Sequence, residues 1–407
     1  MIHGLLGEKL THSLSKIIYG KVGLNYSLTE VEKDEIESVI TSGVLTDFNV
    51  TIPYKQEIMK YLDEMDETAK EIGAVNTVTT KNGKRIGYNT DAFGLELLIK
   101  RIGVDLTGKT VAILGTGGTS NTAYYVSKKL GAKEVFKVSR KGEINYRNCY
   151  NYPADYVINT TPVGMYPSVN NSPIDLTKWE SVKGLADVVY NPLNTNLVLS
   201  AKNLGIKAEG GLYMLVAQAI KSISIFYEKA VDYSLIDKIF LELKGEFANI
   251  VFIGMPSSGK SVIGKEVARL TGKKFVDLDQ EYEKVYGVTP EHDIDNYGEK
   301  YFRDRESEIA KSVIEGGLVV SAGGGIVKKE ENMLFLKRNG IVVYLERELD
   351  KLETAGRPLS VKVGVEKLYK ERKPLYEKYA DIVVKNDGDV KDVAKGVINQ
   401  YEKNLGN

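Results

Sequence analysis

The sequence predicts an α/β protein of more than one domain, and three observations carry that prediction. Short apolar, β-branched runs alternate with helical stretches nearly throughout, the rhythm of strands joined by helices. At roughly 150 residues per domain, 407 residues suffice for two or three independent cores. The composition, 43% hydrophobic and 27% charged, is ordinary for a globular chain, and no internal repeat or low-complexity tract is visible.

In chain order, IHGLLG (2–7), FNVTI (48–52) and AVNTV (74–78) read as strands, and Asn82-Gly83 reads as a tight hairpin turn before RIGYN. A second unit opens at VAILG (111–115) and continues through EVFKVS (134–139), YVINT (156–160) and LADVVY (185–190). A third opens at NIVFIG (249–254). Before it, an amphipathic segment from about 212 to 244 ends at Lys244-Gly245, where a helix stop and a short hinge coincide; the main boundary is placed there.

Composition also excludes functions. The 55 basic and 55 acidic residues cancel, so no overall field attracts nucleic acid or an anionic membrane, and the expected partners are small molecules. Cys149 is the single cysteine, which rules out an intramolecular disulfide framework and fits a reducing compartment. The start, MIHGLLGEKL, lacks the features of a signal peptide, and no apolar run approaches the ~18 residues of a membrane helix, so a cytoplasmic location is expected. His3, His12 and His292 are too few and too scattered for a Ser-His-Asp triad or a zinc site. Acid-base chemistry must then rest on Lys, Asp and Arg. His12 reads as a packing residue of its loop, Cys149 receives no functional reading, and no feature sets an oligomeric state.

Gly254-Met255-Pro256-Ser257-Ser258-Gly259-Lys260-Ser261 is a full G-x-x-x-x-G-K-[ST] match between a strand and the helical pattern SVIGKEVARL. Its glycines let backbone N–H groups around Gly254, Ser257, Ser258 and Gly259 face phosphates, and the helix N-terminus adds a positive dipole. Lys260 reaches the terminal phosphates, and the Ser261 hydroxyl suits Mg²⁺. A turn that merely links strand to helix would not need all four signature positions. Such a loop does not name the phosphate acceptor. Downstream, FVDLD places Asp277 and Asp279 at the end of the next strand, where period-two spacing points both carboxylates the same way. YFRDRE sets Arg303 and Glu306 three apart on a helix, SAGGG places Gly323, Gly324 and Gly325 at a strand end, and AGRPL and RKPLY offer Arg357 and Arg372.

This series of blocks, in this order over about 160 residues, resembles shikimate kinase from end to end. The resemblance implies ATP and Mg²⁺, the ion held by Ser261 and Asp277. It implies that Asp279 orients and deprotonates the acceptor hydroxyl, and that Arg303 and Arg372 clamp the substrate carboxylate with Glu306 positioning Arg303. Gly324 and Gly325 would let backbone approach the substrate ring, and Arg357, on a lid, would neutralise the transferring phosphoryl group. Bidentate arginines suit a carboxylate, and phosphoryl transfer needs positioning and charge stabilisation. Two departures stand out: only ten residues (347–356) precede Arg357 after Glu346, which leaves the adenine contacts open, and Pro256 and Ser257 stand where glycine is commoner.

In the first half, GTGGTS (115–120), after VAIL and before a helix, is a Rossmann-like turn, weak by itself. The next strand ends in Ser139-Arg140-Lys141, where an NAD enzyme would place an acid; a basic pair suits a 2′-phosphate and favours NADP. Around it lie Ser13 and Ser15 (HSLS), Thr51 and Lys55 (NVTIPYK), Asn76 (AVNT), Asn89 and Asp91 (GYNTDAFG), then INTTPVGM, DVVYNPLNT and GGLYMLVAQ. Singly, most would be turn or cap residues. Together, across residues 1 to about 240, they resemble shikimate dehydrogenase. That resemblance implies that Ser13 and Ser15 bind the substrate carboxylate, while Thr51, Asn76, Tyr190 and Gln218 fix the ring. Lys55 and Asp91 would form the catalytic pair, Asp91 also touching substrate, with the ammonium supplying the proton when hydride reduces a ketone. The implied contacts of NADP(H) are Gly115, Thr116, Gly117, Gly118, Thr119, Ser139, Arg140, Lys141, Val188 and Gly211.

The expected architecture is an α/β substrate domain (1–102 plus 212–244), a Rossmann-like NADP domain (103–211) and a P-loop α/β/α kinase domain (245–407). The product of the first enzyme family is the substrate of the second, so the two resemblances converge on one metabolite. A quinate-type dehydrogenase joined to another polyol-acid kinase is the alternative, and the Ser13/Ser15 pair argues against it. A binding protein without catalysis would be expected to lack Lys55, Asp91, Lys260 or Asp279, and all four are present.

Overall fold

The three expected strand groups become three sheets. In the computed structural model, which describes residues 3–10, 13–43, 45–313, 315–352 and 364–406, the chain divides into two compact units. One comprises residues 1–191 with 195–240, the other 192–194 with 241–407. His12 and Arg357 lie outside the described residues.

In the first unit, β1 (His3–Gly7), β2 (Tyr26–Glu30), β3 (Asp47–Val50), β4 (Glu64–Met65), β5 (Thr77–Lys81) and β6 (Lys84–Tyr88) form a mixed sheet in the order β2-β1-β3-β5-β6-β4. β1 runs parallel to β2 and β3, and β5 antiparallel to β3 and β6. The hairpin closes as expected: Lys81 faces Lys84, and Asn82 and Gly83 both take left-handed φ, +51° and +78°. Residues 74–78 are a strand only from Thr77 onward, because the Val75 N–H turns to the Lys55 carbonyl (2.8 Å). Leu6, Phe48, Val50 and Val78 pack one face of this sheet against Ile36, Ile40 and Ile58.

The second sheet, β7 (Thr110–Leu114), β8 (Glu134–Val138), β9 (Tyr156–Asn159), β10 (Gly184–Asp187) and β11 (Lys207–Glu209), is wholly parallel in the order β11-β10-β9-β7-β8. Its central strands are buried on both faces, as parallel strands covered by helices require. FNVTI and LADVVY are strands only in their first parts; Thr51, Val188 and Tyr190 leave the ladder and line a cavity.

The amphipathic stretch before the third sheet is two helices, Leu212–Phe226 and Tyr233–Phe247, separated near Glu228, whose φ is +52°. The second helix passes through Lys244-Gly245 without stopping, so the expected hinge is absent and one residue, Ala248, precedes the next strand. The carbonyls that would have frayed are held: Lys273 Nζ donates to those of Gly245 (2.7 Å) and Ala248 (3.0 Å), and the Tyr401 hydroxyl to the same two.

In the second unit β12 (Asn249–Ile253), β13 (Lys274–Asp277), β14 (Leu318–Ser321), β15 (Gly340–Glu346) and β16 (Ile382–Lys385) form a parallel sheet in the order β13-β14-β12-β15-β16. Alternation along β12 sends Ile250 and Phe252 into a core with Ile263, Val267 and Val397, and Val251 and Ile253 into another with Tyr282, Phe302 and Met333. Helices therefore cover both faces. Among the described residues no helix is long and apolar enough to cross a membrane.

Candidate functional sites

The first unit contains a cavity of about 580 Å³. The residues expected to hold substrate come together on its wall: Ser13, Ser15, Thr51, Lys55, Asn76, Asp91, Tyr190 and Gln218. Ser13 and Ser15 follow β1 at the start of the helix Ser15–Lys21, with the Ser15 N–H donating to Ser13 Oγ (3.2 Å). Asp91 lies in the first turn of the helix Thr90–Ile102, whose N-terminus Asn89 caps by accepting from the Ala92 N–H (3.1 Å). A carboxylate there benefits from the unpaired amides of the helix start. Lys55 Nζ meets Asp91 Oδ2 at 2.5 Å, and Asn76 Nδ2 donates to Asp91 Oδ1 (3.0 Å). Burial pushes the Tyr190 hydroxyl up, so it remains a donor.

Thr119, Val188 and Gly211 line the same cavity. Only glycine fits at 211, since a Cβ there would lie 2.2 Å from the Val188 carbonyl. Gly115, Thr116, Gly117 and Gly118 form the turn after β7, and Gly117 starts the helix Gly118–Lys129 with no side-chain cap. Beyond the neighbouring residues and the helix's own backbone, no atom of the described residues lies within 4 Å of a Cβ built on Gly117 or Gly118, and such an open helix N-terminus suits a dinucleotide pyrophosphate. Ser139 Oγ accepts from the Gly142 N–H (2.8 Å), forming a turn that leaves Arg140 and Lys141 exposed, fit for an added phosphate. Lys9, to which no motif pointed, also lines the cavity, as do Asn49, Met165 and Met214, which lie within NVTIPYK, INTTPVGM and GGLYMLVAQ but carried no assigned role.

In the second unit the phosphate loop takes left-handed φ at Gly254 (+147°), Ser257 (+64°) and Gly259 (+92°). Ser257, where glycine is commoner, is thus a strained residue of the kind that gathers at ligand sites. Two side chains missed in the sequence brace it: Arg347 Nη1 donates to the Ser257 carbonyl (3.4 Å) and Asn386 Nδ2 to that of Ser258 (2.8 Å). Lys260 Nζ lies inside the loop, donating to the carbonyls of Gly254 (3.0 Å) and Met255 (2.8 Å).

Ser261 Oγ donates to Asp277 Oδ2 (2.6 Å) and lies 3.1 Å from Ser321 Oγ. These hard oxygens suit Mg²⁺; among the described residues no cluster of three His, Cys, Asp or Glu competes with them. Ser321, at the head of SAGGG, was open to the same reading. Asp279 is not on a strand: Asp277 ends β13 and caps the helix Leu278–Tyr286 by accepting from the Asp279 N–H (3.1 Å). The period-two argument fails there because the capping carboxylate starts a helix. Asp279 nevertheless lies beside Glu306 and the glycine run, since a Cβ on Gly323 would lie 3.0 Å from Asp279 Oδ1 and 3.1 Å from Glu306 Oε1.

Arg303 Nη1 donates to Glu306 Oε2 (2.7 Å), and the guanidinium lies against Gly325, where a Cβ would meet Nη2 at 2.0 Å. Burial raises the Glu306 carboxyl, opposed by the Arg303 charge. Gly324 packs on Pro256, and its carbonyl accepts from the Tyr376 hydroxyl. Arg372 is 2% exposed, and its Nε is a buried donor with no partner among the described residues.

Residues 256–402 match the family described as shikimate kinase, and residues 5–78 the shikimate dehydrogenase substrate binding domain. A shikimate dehydrogenase (NADP(+)) of Clostridium perfringens (strain SM101 / Type A) is 38% identical over 271 residues, spanning 60% of this chain and 99% of that protein. The solved shikimate dehydrogenase 1 from Peptoclostridium difficile is 39% identical, with TM-score 0.56 over 60% of this chain and 97% of that one. A chorismate mutase/shikimate 5-dehydrogenase fusion protein from Clostridium acetobutylicum is 36% identical, with TM-score 0.58 over the same shares, 60% and 97%. The chain belongs to the shikimate dehydrogenase family and carries a shikimate kinase domain behind it in the same polypeptide.

Proposed function

We propose that this chain catalyses two consecutive steps of aromatic amino-acid (chorismate) biosynthesis, the NADPH-dependent reduction of 3-dehydroshikimate to shikimate and the ATP-dependent phosphorylation of shikimate to shikimate 3-phosphate. The Lys55–Asp91 ion pair, 2.5 Å long on the wall of a cavity rich in hydroxyl and amide groups, carries the first half of the reading. The braced phosphate loop beside Asp279 and two buried arginines supports the second.

When bound, NADPH supplies the hydride, ATP the phosphoryl group and Mg²⁺ the charge that offsets phosphate oxygens. In the first site Lys55 gives a proton to the carbonyl oxygen as it becomes an alkoxide, and Asp91 holds the ammonium in place. Ser13 and Ser15 donate to the substrate carboxylate, and Thr51, Asn76, Tyr190 and Gln218 take its hydroxyls. Gly115 to Thr119, Val188 and Gly211 hold the dinucleotide, and Ser139, Arg140 and Lys141 its 2′-phosphate. In the second site Asp279 accepts the proton of the attacking hydroxyl, Arg303 and Arg372 clamp the carboxylate, and Lys260 offsets charge on the terminal phosphates. Ser261 and Asp277 hold the ion, while Arg357, outside the described residues, neutralises the transferring phosphoryl group. The division into residues 1–102 plus 212–244, 103–211 and 245–407 is part of this reading, as is a cytoplasmic location, which rests on one unpaired, buried cysteine.

A one-pot assay with 3-dehydroshikimate, NADPH, ATP and Mg²⁺ should yield shikimate 3-phosphate. Lys55→Ala should cut dehydrogenase turnover about 100-fold or more and leave kinase turnover near normal. Full NADPH oxidation by that variant, or no phosphate ester from added shikimate with the wild type, overturns the corresponding half.

A further inference from the structure

Behind the cavity of the first unit lies a buried polar network that reaches the cavity wall at Asn49, Asn76 and Asp91. The hydroxyls of Tyr19 (2.6 Å) and Tyr26 (2.7 Å) both donate to Asn49 Oδ1. Asn49 Nδ2 donates to the Asn76 carbonyl (3.1 Å), Thr77 Oγ1 (2.9 Å) and Ser222 Oγ (2.9 Å). Thr77, Thr90 and Ser222 form a triangle of hydroxyls with sides of 2.8, 3.0 and 3.1 Å. The Thr77 and Thr90 hydroxyls each reach Asn76 Oδ1 (3.3 Å), and Asn76 Nδ2 reaches Thr90 Oγ1 and Asp91 Oδ1, both at 3.0 Å. Tyr19, Thr77, Thr90 and Ser222 are at most 1% exposed. Tyr19, Tyr26, Thr77 and Ser222 lie behind the residues that line the cavity.

The orientation of both amides is forced. Asn49 faces the Asn76 carbonyl, an acceptor only, so that end of its amide is the NH₂, and its oxygen must receive the two tyrosine protons. Burial raises both tyrosine hydroxyls, which keeps them donors. Asn76 is fixed in the same manner: its oxygen accepts the Thr90 N–H (2.7 Å), a donor only, so its NH₂ faces Asp91. A flipped Asn76 would set an amide oxygen against the Asp91 carboxylate and loosen the group that holds Lys55.

We propose that Tyr19, Tyr26, Thr77 and Ser222 are positioning residues for the reduction: through Asn49, which holds the Asn76 carbonyl, and through the Thr77 and Thr90 hydroxyls beside Asn76 Oδ1, they hold Asn76 in the place from which its amide donates to Asp91. The inference rests on the Lys55–Asp91 pair being the proton-transfer pair. In the full-length chain, Thr77→Val removes the hydroxyl at nearly constant volume. It should lower dehydrogenase kcat about 10-fold with KM for 3-dehydroshikimate changed by less than about twofold, as a lost positioning contact would. Thr77→Ser, which keeps the hydroxyl, should stay near wild type. The double variant Tyr19→Phe/Tyr26→Phe carries the same test should Thr77→Val not fold, and the urea midpoint for loss of dehydrogenase activity in each variant serves as the folding control for the first unit. Wild-type kcat in Thr77→Val or in the tyrosine pair, or a rise in KM with kcat intact, overturns the inference. Full turnover in Lys55→Ala would instead remove the pair on which it rests.

Discussion

Asp187, the last residue of β10, has no exposed surface and accepts from Asn159 Nδ2 (2.9 Å), the Val189 N–H (3.0 Å) and Thr195 Oγ1 (2.7 Å). These bonds pin the turn that carries Val188 and Tyr190 to the cavity. Burial outweighs them and pushes the carboxyl up to about 6. A carboxyl raised above its unfolded value contributes stability that is complete below about pH 4 and lost as pH rises through about 6. Asp187→Asn keeps two acceptor contacts, offers its NH₂ to the Thr195 hydroxyl and cannot titrate. Relative to wild type it should therefore gain about 2 kcal/mol of unfolding free energy between pH 4.5 and pH 7. Denaturant titrations of both proteins at the two pH values check this; a constant difference would mean the carboxyl is ionised in both states.

Among the elements, the helix Tyr233–Phe247 shows how an end is held when the sequence signals a stop. Gly245 costs helix propensity, yet the ammonium of Lys273 and the hydroxyl of Tyr401 take up the last carbonyls. Lys273→Met keeps the aliphatic stem and leaves those carbonyls short of a donor. It should destabilise the second unit by about 1–3 kcal/mol. The urea midpoint for loss of kinase activity should fall, while the midpoint for dehydrogenase activity stays in place. Equal midpoints in variant and wild type would show that Tyr401 alone suffices.

For the whole molecule, each candidate site is assembled from its own unit, residues 5–218 for the cavity and residues 254–386 around the phosphate loop. In the proposed reading each has its own groups for a substrate carboxylate, serines in one and arginines in the other. Shikimate released at a typical turnover near 10 s⁻¹ has ample time to diffuse away before capture. In the coupled assay shikimate 3-phosphate should appear after a lag, and added unlabelled shikimate should dilute label arriving from 3-dehydroshikimate. Undiluted label with no lag would refute free diffusion of the intermediate.

The sequence by itself determined the α/β class, the hairpin at Asn82-Gly83, the phosphate loop and most residues on the cavity wall. Those features are local: a turn needs its own φ angles, and a motif carries its chemistry in consecutive residues. It misjudged Lys244-Gly245 and Asp279, where a lysine 28 residues away and a capping carboxylate overrode local signals. Tertiary structure alone decided that Asn49 meets Ser222 across 173 residues, and that Arg347 and Asn386 brace a strained Ser257. A hydrogen bond between distant residues leaves no periodicity or spacing in the chain, because only the packing of whole elements brings its two ends within 3 Å.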